Sequence, residues 1–211
     1  MITPEYVQRL REDLVFTEQL RGQALTFRST WGLFSPRAVD EGSRLLLDHI
    51  QVGADAHCLD LGCGYGPIGL TLARLAPGGR TCLVDKDFVA VEYSRRNAEL
   101  NGLANCEVFL SNGFSHMGER QFDVIASNLP AKVGKELLYL YLLDALAHLC
   151  PGGRLYVVTI TGLRRFIQRA FEEVFGNYDK VKQGKSYTVG LAVKDPDRPA
   201  RSADKARGEK Q

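Results

Sequence analysis

Ala56-His57-Cys58-Leu59-Asp60-Leu61-Gly62-Cys63-Gly64-Tyr65-Gly66 is the stretch that decides the fold of this chain. A short apolar run ends at Asp60-Leu61, three alternate glycines follow, and apolar residues then recur at helical spacing from Ile68 to Leu75. This pattern predicts a strand that turns sharply into a helix whose first N–H groups face a ligand. Glycines permit a positive φ and carry no Cβ, so a cofactor can lie against the main chain. What binds at this turn decides what the protein does.

The overall composition is that of a soluble globular protein. Of 211 residues, 45% are hydrophobic and 25% are charged. This length suits one domain with a sizeable core. The formal net charge of +2 is too small to indicate a nucleic-acid partner, so any basic surface has to be local.

The N-terminus, the lengths of the apolar runs and the cysteines indicate in which cellular compartment the protein works. The N-terminus has no basic segment followed by an apolar one, and no apolar run approaches a length of about 18 residues. We therefore expect a cytoplasmic protein with no membrane partner. The five cysteines form no Cys-x-x-Cys pair, which favours small buried hydrophobes in a reducing compartment. The four histidines lack metal-ligand spacing, so no metal site is predicted.

From residue 56 onward, predicted strands alternate with predicted helices. The strands are expected over 56–61, 80–85, 106–110, 122–127 and 154–160, and the helices over 66–76, 88–101, 134–149 and 163–175. This alternation implies parallel βαβ units with right-handed crossovers. Two last runs, 178–183 and 186–193, predict an antiparallel hairpin. The expected fold is therefore α/β, with a mostly parallel seven-stranded sheet, an antiparallel C-terminal hairpin and helices on both faces.

We expect three regions along the chain. Residues 1–30 form an N-terminal extension, with a helix over 4–13 and two strands joined at Arg21-Gly22, a plausible tight turn. Residues 31–193 form the main domain, in which Asp40 or Ser43 caps the first helix. Residues 194–211 are polar, charged and nearly free of apolar side chains, which predicts a disordered tail.

Each of the first four predicted strands of this main domain ends in polar residues or glycines. They are Asp60 and Gly62, then Asp85, then Asn112-Gly113, then Asn128-Leu129-Pro130. Helix caps and turns use the same residue types. Four such ends in succession favour a ligand site, because ligands of open α/β sheets lie outside the carboxyl ends of the strands.

The spacing of these residues indicates a nucleoside. Asp85 lies 25 positions after Asp60 in the sequence. This spacing is close to the one at which an acidic residue that binds a ribose diol follows a glycine-rich turn. Asn112 offers an amide donor and acceptor for an adenine edge, with the N–H of Gly113 or Phe114 as the second contact. A dinucleotide enzyme is the alternative, since the run from Gly64 to Gly69 fits G-x-G-x-x-G. Asp60 before the loop and the Asn-x-Pro turn favour instead an amino-acid-bearing nucleoside without phosphates.

These motifs resemble a known family. Asp60-Leu-Gly-Cys-Gly-Tyr-Gly, Val84-Asp85, Asn97-Ala-Glu-Leu-Asn-Gly and Asn128-Leu-Pro-Ala are similar to class I S-adenosylmethionine (SAM)-dependent methyltransferases. A segment that precedes the glycine turn, the lead-in motif, is Gly32-Leu-Phe-Ser-Pro-Arg-Ala-Val-Asp-Glu-Gly-Ser. It resembles the corresponding segment of their "small domain" group, which includes bacterial rRNA guanine-N2 methyltransferases and compact archaeal relatives. The similarity covers about residues 14 to 193 and implies a Rossmann-like methyltransferase fold.

The resemblance also implies roles for the strand-end residues. Cofactor binding falls to Asp60, Gly62, Cys63 and Gly64 at the methionine end of SAM, Asp85 at the ribose, Asn112 and Gly113 at the adenine, and Asn128. The family's catalytic Asn-Pro-Pro-aromatic motif falls on Asn128, Leu129, Pro130 and Ala131. There the Asn side-chain oxygen and the next backbone carbonyl accept hydrogen bonds from a planar amino group.

This motif departs from the family pattern at two places. Leu129 still supplies a carbonyl, but Ala131 replaces the aromatic that stacks on a target base, a contact worth roughly 1–3 kcal/mol. Phe34, Trp31 or Tyr187 are candidates to supply the missing face, although core or lid packing is the ordinary fate of such aromatics.

The expected function is that of a SAM-dependent N-methyltransferase acting on the exocyclic amine of a guanine in ribosomal RNA. The alternatives are a methyltransferase with a small-molecule or protein-glutamine acceptor, and a non-catalytic SAM- or RNA-binding module, which the change at Ala131 suggests. Basic residues that could approach an RNA backbone, or simply form a solvated surface, are Lys132, Lys135, Arg164, Arg165, Arg169, Lys180, Lys182 and Lys185.

Overall fold

A computed structural model describes residues 2–130 and 133–197 of the chain. Ala131, Lys132 and most of the predicted tail (198–211) lie outside the described residues, so the expectations that concern them stay predictions. In the part that is described, no helix is long and apolar enough to cross a membrane.

Six α-helices and nine strands make up the described chain. The helices are α1 (Pro4–Leu10), α2 (Glu41–His49), α3 (Pro67–Leu75), α4 (Phe88–Leu100), α5 (Lys135–His148) and α6 (Arg164–Phe175). The strands are β1 (Leu14–Leu20), β2 (Gln23–Ser29), β3 (Cys58–Leu61), β4 (Thr81–Asp85), β5 (Cys106–Leu110), β6 (Phe122–Asn128), β7 (Leu149–Ile160), β8 (Asp179–Gln183) and β9 (Tyr187–Val193). A short 3-10 turn, Thr161–Leu163, precedes α6.

Seven strands form one sheet in the order β5-β4-β3-β6-β7-β9-β8. The first five in this order are parallel, while β9 is antiparallel to both β7 and β8. One core packs residues of α2, α3 and α4 against one face, and a second core packs residues of α5 and α6 against the other. The predicted fold class is therefore confirmed. Since the parallel strands share a direction, their carboxyl ends meet at one edge, and the strand order reverses at β3.

The N-terminal strands form the predicted tight hairpin, with β1 antiparallel to β2. Arg21 and Gly22 both have positive φ (53° and 75°), as a two-residue turn of type I′ requires. An arginine is unusual there, but its guanidinium donates to the carbonyls of Leu47 and Ile50, each at 2.7 Å. These carbonyls end α2 and lack intrahelical partners. The turn residue therefore also caps a helix of the main domain.

The apolar face of this hairpin lies in the same core as α2, α3 and α4. Leu25 and Phe27 are fully buried, and the Phe27 ring contacts Phe16 and Tyr65 at centroid distances of 5.7 and 5.6 Å. Tyr65 belongs to the glycine turn, so the hairpin packs directly on the segment that decides the fold. The expected boundary at residue 30 stays a prediction.

One predicted boundary is wrong. We expected a helix over 134–149 and a strand over 154–160, with Pro151-Gly152-Gly153 in the break between them, but β7 already begins at Leu149. Leu149 pairs with Phe122 of β6, and the backbone of Gly152 and Gly153 exchanges hydrogen bonds with Lys194. Gly152 takes a positive φ of 76°, so the glycines bend a continuing strand rather than end a helix.

Candidate active site

The three alternate glycines form the predicted turn between β3 and α3. Gly62, Gly64 and Gly66 have φ of 78°, 57° and 97°, a region that favours glycine. A Cβ at Gly62 or Gly64 would have no heavy atom within 4 Å, so the main chain here borders open space. Gly69, one turn into the helix, is different, because a Cβ there would lie 2.4 Å from the Leu83 Cγ. Gly69 therefore allows α3 to pack closely on the sheet.

Asp60 lies beneath this turn and faces the protein interior. It is 1% exposed, and its Oδ2 accepts a hydrogen bond from the Gly69 N–H at 2.7 Å. Its Oδ1 has no partner among the described residues. Burial raises the pKa of Asp60 to about 7; the Gly69 hydrogen bond opposes this rise, and the charge of Asp85 adds to it. Asp60 does not line the cavity described below, so here it fixes the start of α3 against β3.

Asp85 ends β4 beside the glycine turn. Its Oδ2 accepts from the Gly64 N–H and its Oδ1 from the Asp87 N–H, both at 3.0 Å. Each carboxylate oxygen has a second lone pair, so both can still accept a ligand hydroxyl. Asp87 accepts from the Val89 N–H at 2.8 Å and caps α4, as its position in the sequence predicts.

The end of β5 lies on the far side of Asp85. Gly113 has φ of 59°, and its carbonyl accepts from the Ser111 hydroxyl at 2.8 Å. Asn112 between them is exposed and does not line the cavity. The ring of Tyr141 covers Gly113 so closely that a Cβ there would lie 2.8 Å from its Cε1. Tyr141 could not be predicted as a site residue from the sequence, because no spacing within the leucine-rich α5 distinguishes it from its neighbours.

Asn128 ends β6, on the other side of β3 from Asp85. Its Nδ2 donates to the Asp40 Oδ1 and to the Ser43 Oγ, each at 3.1 Å. Asp40 caps α2, since the same Oδ1 accepts from the Ser43 N–H at 3.1 Å. The sequence offered Asp40 and Ser43 only as helix caps and as part of the lead-in motif. Their contact with Asn128 joins positions 88 and 85 residues apart, which no local pattern reveals.

The backbone around Asn128 is held from both sides. The Ser127 hydroxyl donates to the Leu61 carbonyl at 2.7 Å, and the Leu129 N–H donates to the Val158 carbonyl at 3.0 Å. These bonds attach the end of β6 to β3 and to β7. The Asn128-Leu129-Pro130 turn therefore starts from a rigid position.

One cavity of about 410 Å³ unites most of the predicted site. The predicted residues that line it are Gly62, Cys63, Gly64, Asp85, Gly113, Asn128, Leu129 and Pro130. Because Asp85 and Asn128 end the two strands that flank β3, the glycine turn lies between them. The volume is in the range of small-molecule cofactor pockets. An open glycine main chain, a carboxylate with free lone pairs and a neighbouring amide suit SAM, whose sugar carries hydroxyls and which has no phosphates.

Aromatic side chains border this cavity. Phe34 lines it and is 67% exposed, and its loop is anchored where the Tyr65 hydroxyl donates to the Ala38 carbonyl at 3.1 Å. Tyr187 also lines the cavity and packs on α2. Trp31 does not line it; the Arg37 guanidinium lies 4.6 Å from its ring centroid instead. Two of the three candidate aromatics are therefore at the cavity.

The described part of the chain contains no group of three or more His, Cys, Asp or Glu side chains that could hold a metal ion. Burial raises the pKa of the Cys58 thiol to about 12, and the pKa of Cys63 is also raised, mainly by burial. Of these two residues only Cys63 lines the cavity, and its raised thiol pKa does not favour a cysteine nucleophile there.

Comparisons with known proteins agree with this geometry. The methyltransferase small domain family matches residues 24–190. An uncharacterised protein of Bacillus subtilis, YbxB, is 36% identical over 180 residues, which are 83% of this chain and 89% of that protein. The ribosomal RNA small subunit methyltransferase C of Escherichia coli is 34% identical over 197 residues, 89% of this chain and 56% of that enzyme.

The solved structure of an rRNA methyltransferase is also similar to this chain. The Thermus thermophilus 16S rRNA N2 methyltransferase RsmC, in complex with AdoMet and guanosine, superimposes with a TM-score of 0.78 at 30% identity, over 86% of this chain and 50% of that one. The chain thus spans about half the length of these rRNA methyltransferases. The predicted resemblance, the Rossmann-like fold and the class of SAM-dependent methyltransferase are confirmed. This chain belongs to the methyltransferase small domain family.

Proposed function

We propose that this chain transfers a methyl group from SAM to the exocyclic amine of a guanine in ribosomal RNA, in the cytoplasm. The observation that carries the proposal is that one cavity joins the glycine turn, the Asp85 carboxylate and the Asn128-Leu129-Pro130 turn. A guanosine-bound relative with the same fold supports the choice of guanine.

In this proposal the chain holds the cofactor along its glycine turn. The main chain from Gly62 to Gly64 borders the methionine end, Asp85 accepts the ribose hydroxyls, and Gly113 contacts the adenine beside Tyr141. Charge-assisted hydrogen bonds to a carboxylate are worth roughly 1.5–3 kcal/mol each. Asp60 supports the glycine turn in this proposal, and Asn112 makes no direct contact with the cofactor, because neither residue lines the cavity.

The acceptor amine is received at the end of β6. The Asn128 side-chain oxygen and the Leu129 backbone carbonyl accept the two hydrogens of a planar amino group, which orients its nitrogen lone pair. When bound, SAM supplies a methyl group that is already activated, so alignment contributes more than acid or base catalysis. Phe34 is our candidate for the aromatic face that position 131 does not provide, because it lines the cavity while most of its side chain is exposed.

Basic side chains at the same edge support an RNA acceptor. The pairing of Ile160 with Tyr187 brings the start of β9 beside the end of β7, so the turn between β8 and β9 lies at the cavity edge. Lys182 and Lys185 flank or lie in that turn, and Arg164 and Arg165 begin α6 after the end of β7. Such a surface contacts phosphates without reading sequence.

The proposed function is tested with tritiated SAM and four separate acceptors: ribosomal RNA from a deletion strain, the same RNA from the parent strain, protein extract, and small metabolites. We expect label in a guanine of the deletion-strain RNA only, since the parent RNA already carries the methyl group. Label in protein or metabolites instead would replace the RNA acceptor by one of the other classes. SAM binding without label in any fraction would favour a non-catalytic module.

A further inference from the structure

We propose that Asp40 and Ser43 are positioning residues that fix the Asn128 carboxamide with its oxygen toward the cavity. This inference deepens the proposed function and rests on it, because it concerns the group that receives the acceptor amine. It assigns a role in the reaction to the start of α2, an element outside the glycine turn and the strand ends.

A carboxamide has nearly the same shape in its two flipped orientations, so its partners decide which atom faces the ligand. The Asp40 carboxylate accepts hydrogen bonds and cannot donate, and its Oδ1 is 3.1 Å from the Asn128 Nδ2. The flipped amide would put two acceptors against each other. Ser43, at 3.1 Å, can accept or donate, so it reinforces the orientation that Asp40 selects.

Asp40 itself is held in place. Its Oδ1 accepts from the Ser43 N–H as the N-cap of α2, and Ser43 is 3% exposed. Gly42 between them has no room for a side chain, because a Cβ there would lie 2.8 Å from the Tyr187 Cδ1 and 3.0 Å from the Asp40 Oδ1. The start of α2 is therefore a rigid support against which the amide of Asn128 is held.

This arrangement leaves one atom of the amide for a ligand. Both N–H groups of Asn128 are used, and no described residue donates to its Oδ1. Asn128 is half-buried and lines the cavity, so this oxygen is not sealed in the core. The site then accepts an N–H donor such as an exocyclic amine and disfavours a ligand that presents a carbonyl.

Two substitutions at one position separate orientation from helix capping. Serine and asparagine both cap helices about as well as aspartate. In Asp40→Asn the Ser43 N–H keeps the side-chain oxygen in place, so that oxygen can still accept from the Asn128 Nδ2. In Asp40→Ser the shorter side chain does not reach the Asn128 amide. We expect Asp40→Ser to lower kcat at least about tenfold with an almost unchanged KM for SAM, and Asp40→Asn to stay close to wild type.

A second readout needs neither cofactor nor acceptor. In ¹H–¹⁵N spectra of the free protein, the Asn128 side-chain NH₂ signals, identified by their loss in Asn128→Ala, should exchange slowly in wild type and in Asp40→Asn. They should exchange quickly in the Asp40→Ser, Ser43→Ala double variant.

The outcomes separate this inference from the proposed function. Equal exchange rates of these NH₂ protons in wild type and the double variant would overturn it, whatever the protein methylates. An equal loss of kcat in Asp40→Asn and Asp40→Ser would also overturn it, because the carboxylate charge and not the orientation of the amide would then matter. Failure of the wild type to methylate ribosomal RNA contradicts the proposed function alone.

Discussion

Replacing Asn97 of α4 by alanine should weaken both the fold and the cofactor site. Asn97 is fully buried; its Oδ1 accepts from the Arg28 N–H at 2.7 Å, and its Nδ2 donates to the carbonyls of Arg28 and Tyr65, both at 2.9 Å. The substitution leaves three backbone groups without partners. At about 1–3 kcal/mol for each unsatisfied group, less where water enters, we expect a loss of roughly 3–5 kcal/mol in the free energy of unfolding.

Asn101, which caps the C-terminal end of α4, is a control with the same type of side chain. Its side chain also makes three hydrogen bonds, with the Thr26 N–H and carbonyl and with the Asn97 carbonyl, but none with the glycine turn. It is half-exposed, so water can replace its bonds, and Asn101→Ala should cost about 1–2 kcal/mol.

Urea unfolding measures the stability of both variants, and calorimetric titration measures their affinity for SAM. Only Asn97→Ala should also bind SAM less tightly, by about tenfold, because the Tyr65 carbonyl in the glycine turn loses its donor. Equal SAM affinity in both variants, under conditions where both are folded, would refute the idea that Asn97 supports the turn. A loss of stability in Asn101→Ala as large as in Asn97→Ala would refute the burial argument.

Three more predictions follow from the site. Phe34→Ala should weaken RNA binding about tenfold in a filter-binding assay and leave SAM affinity unchanged. The control is Phe88→Ala, which should change neither, because Phe88 is as exposed as Phe34 (68% against 67%) but is not among the residues that line the cavity. Gly69→Ala should lower the free energy of unfolding in urea by about 1–3 kcal/mol, because its Cβ would clash with Leu83. Because the pKa of Asp60 is raised from 3.8 to about 7, the folded state holds a proton that the unfolded state releases, so stability should fall as the pH rises from about 4 to 7; Asp60→Asn should flatten this slope in urea unfolding at several pH values.

Each of these predictions has a contradicting result. Equal RNA affinity in both phenylalanine variants would remove Phe34 as the stacking face. Unchanged stability in Gly69→Ala would mean that α3 can move away from the sheet at little cost. An equal slope in wild type and Asp60→Asn would assign the pH dependence to other groups.

The sequence predicted the sheet and the ends of its strands well, because these depend on local patterns. β5 runs from Cys106 to Leu110, as expected from its apolar run, and the glycine turn has the positive φ values that its spacing implies. Alternation of strands and helices then brings Asp85 and Asn128 to one edge of the sheet without knowledge of any contact.

The direction of individual side chains could not be predicted in the same way. Asp60 and Asn112 have the residue types and spacing of ligand contacts, but one faces the core and the other faces solvent. The partners of Asn128 come from α2, and the cover of Gly113 comes from Tyr141 in α5. These contacts depend on how helices pack on the sheet, and a single sequence does not encode that in any short spacing.

The most direct test of the central claim is calorimetric titration of SAM into the wild-type chain and into Asp85→Ala, with NADH as a second titrant. Asp85 both borders the cavity and holds the Gly64 N–H, so its loss should weaken SAM binding at least about tenfold, and NADH should bind to neither protein. No binding of SAM to the wild type at millimolar concentration, or equal affinity in the two proteins, would contradict the account.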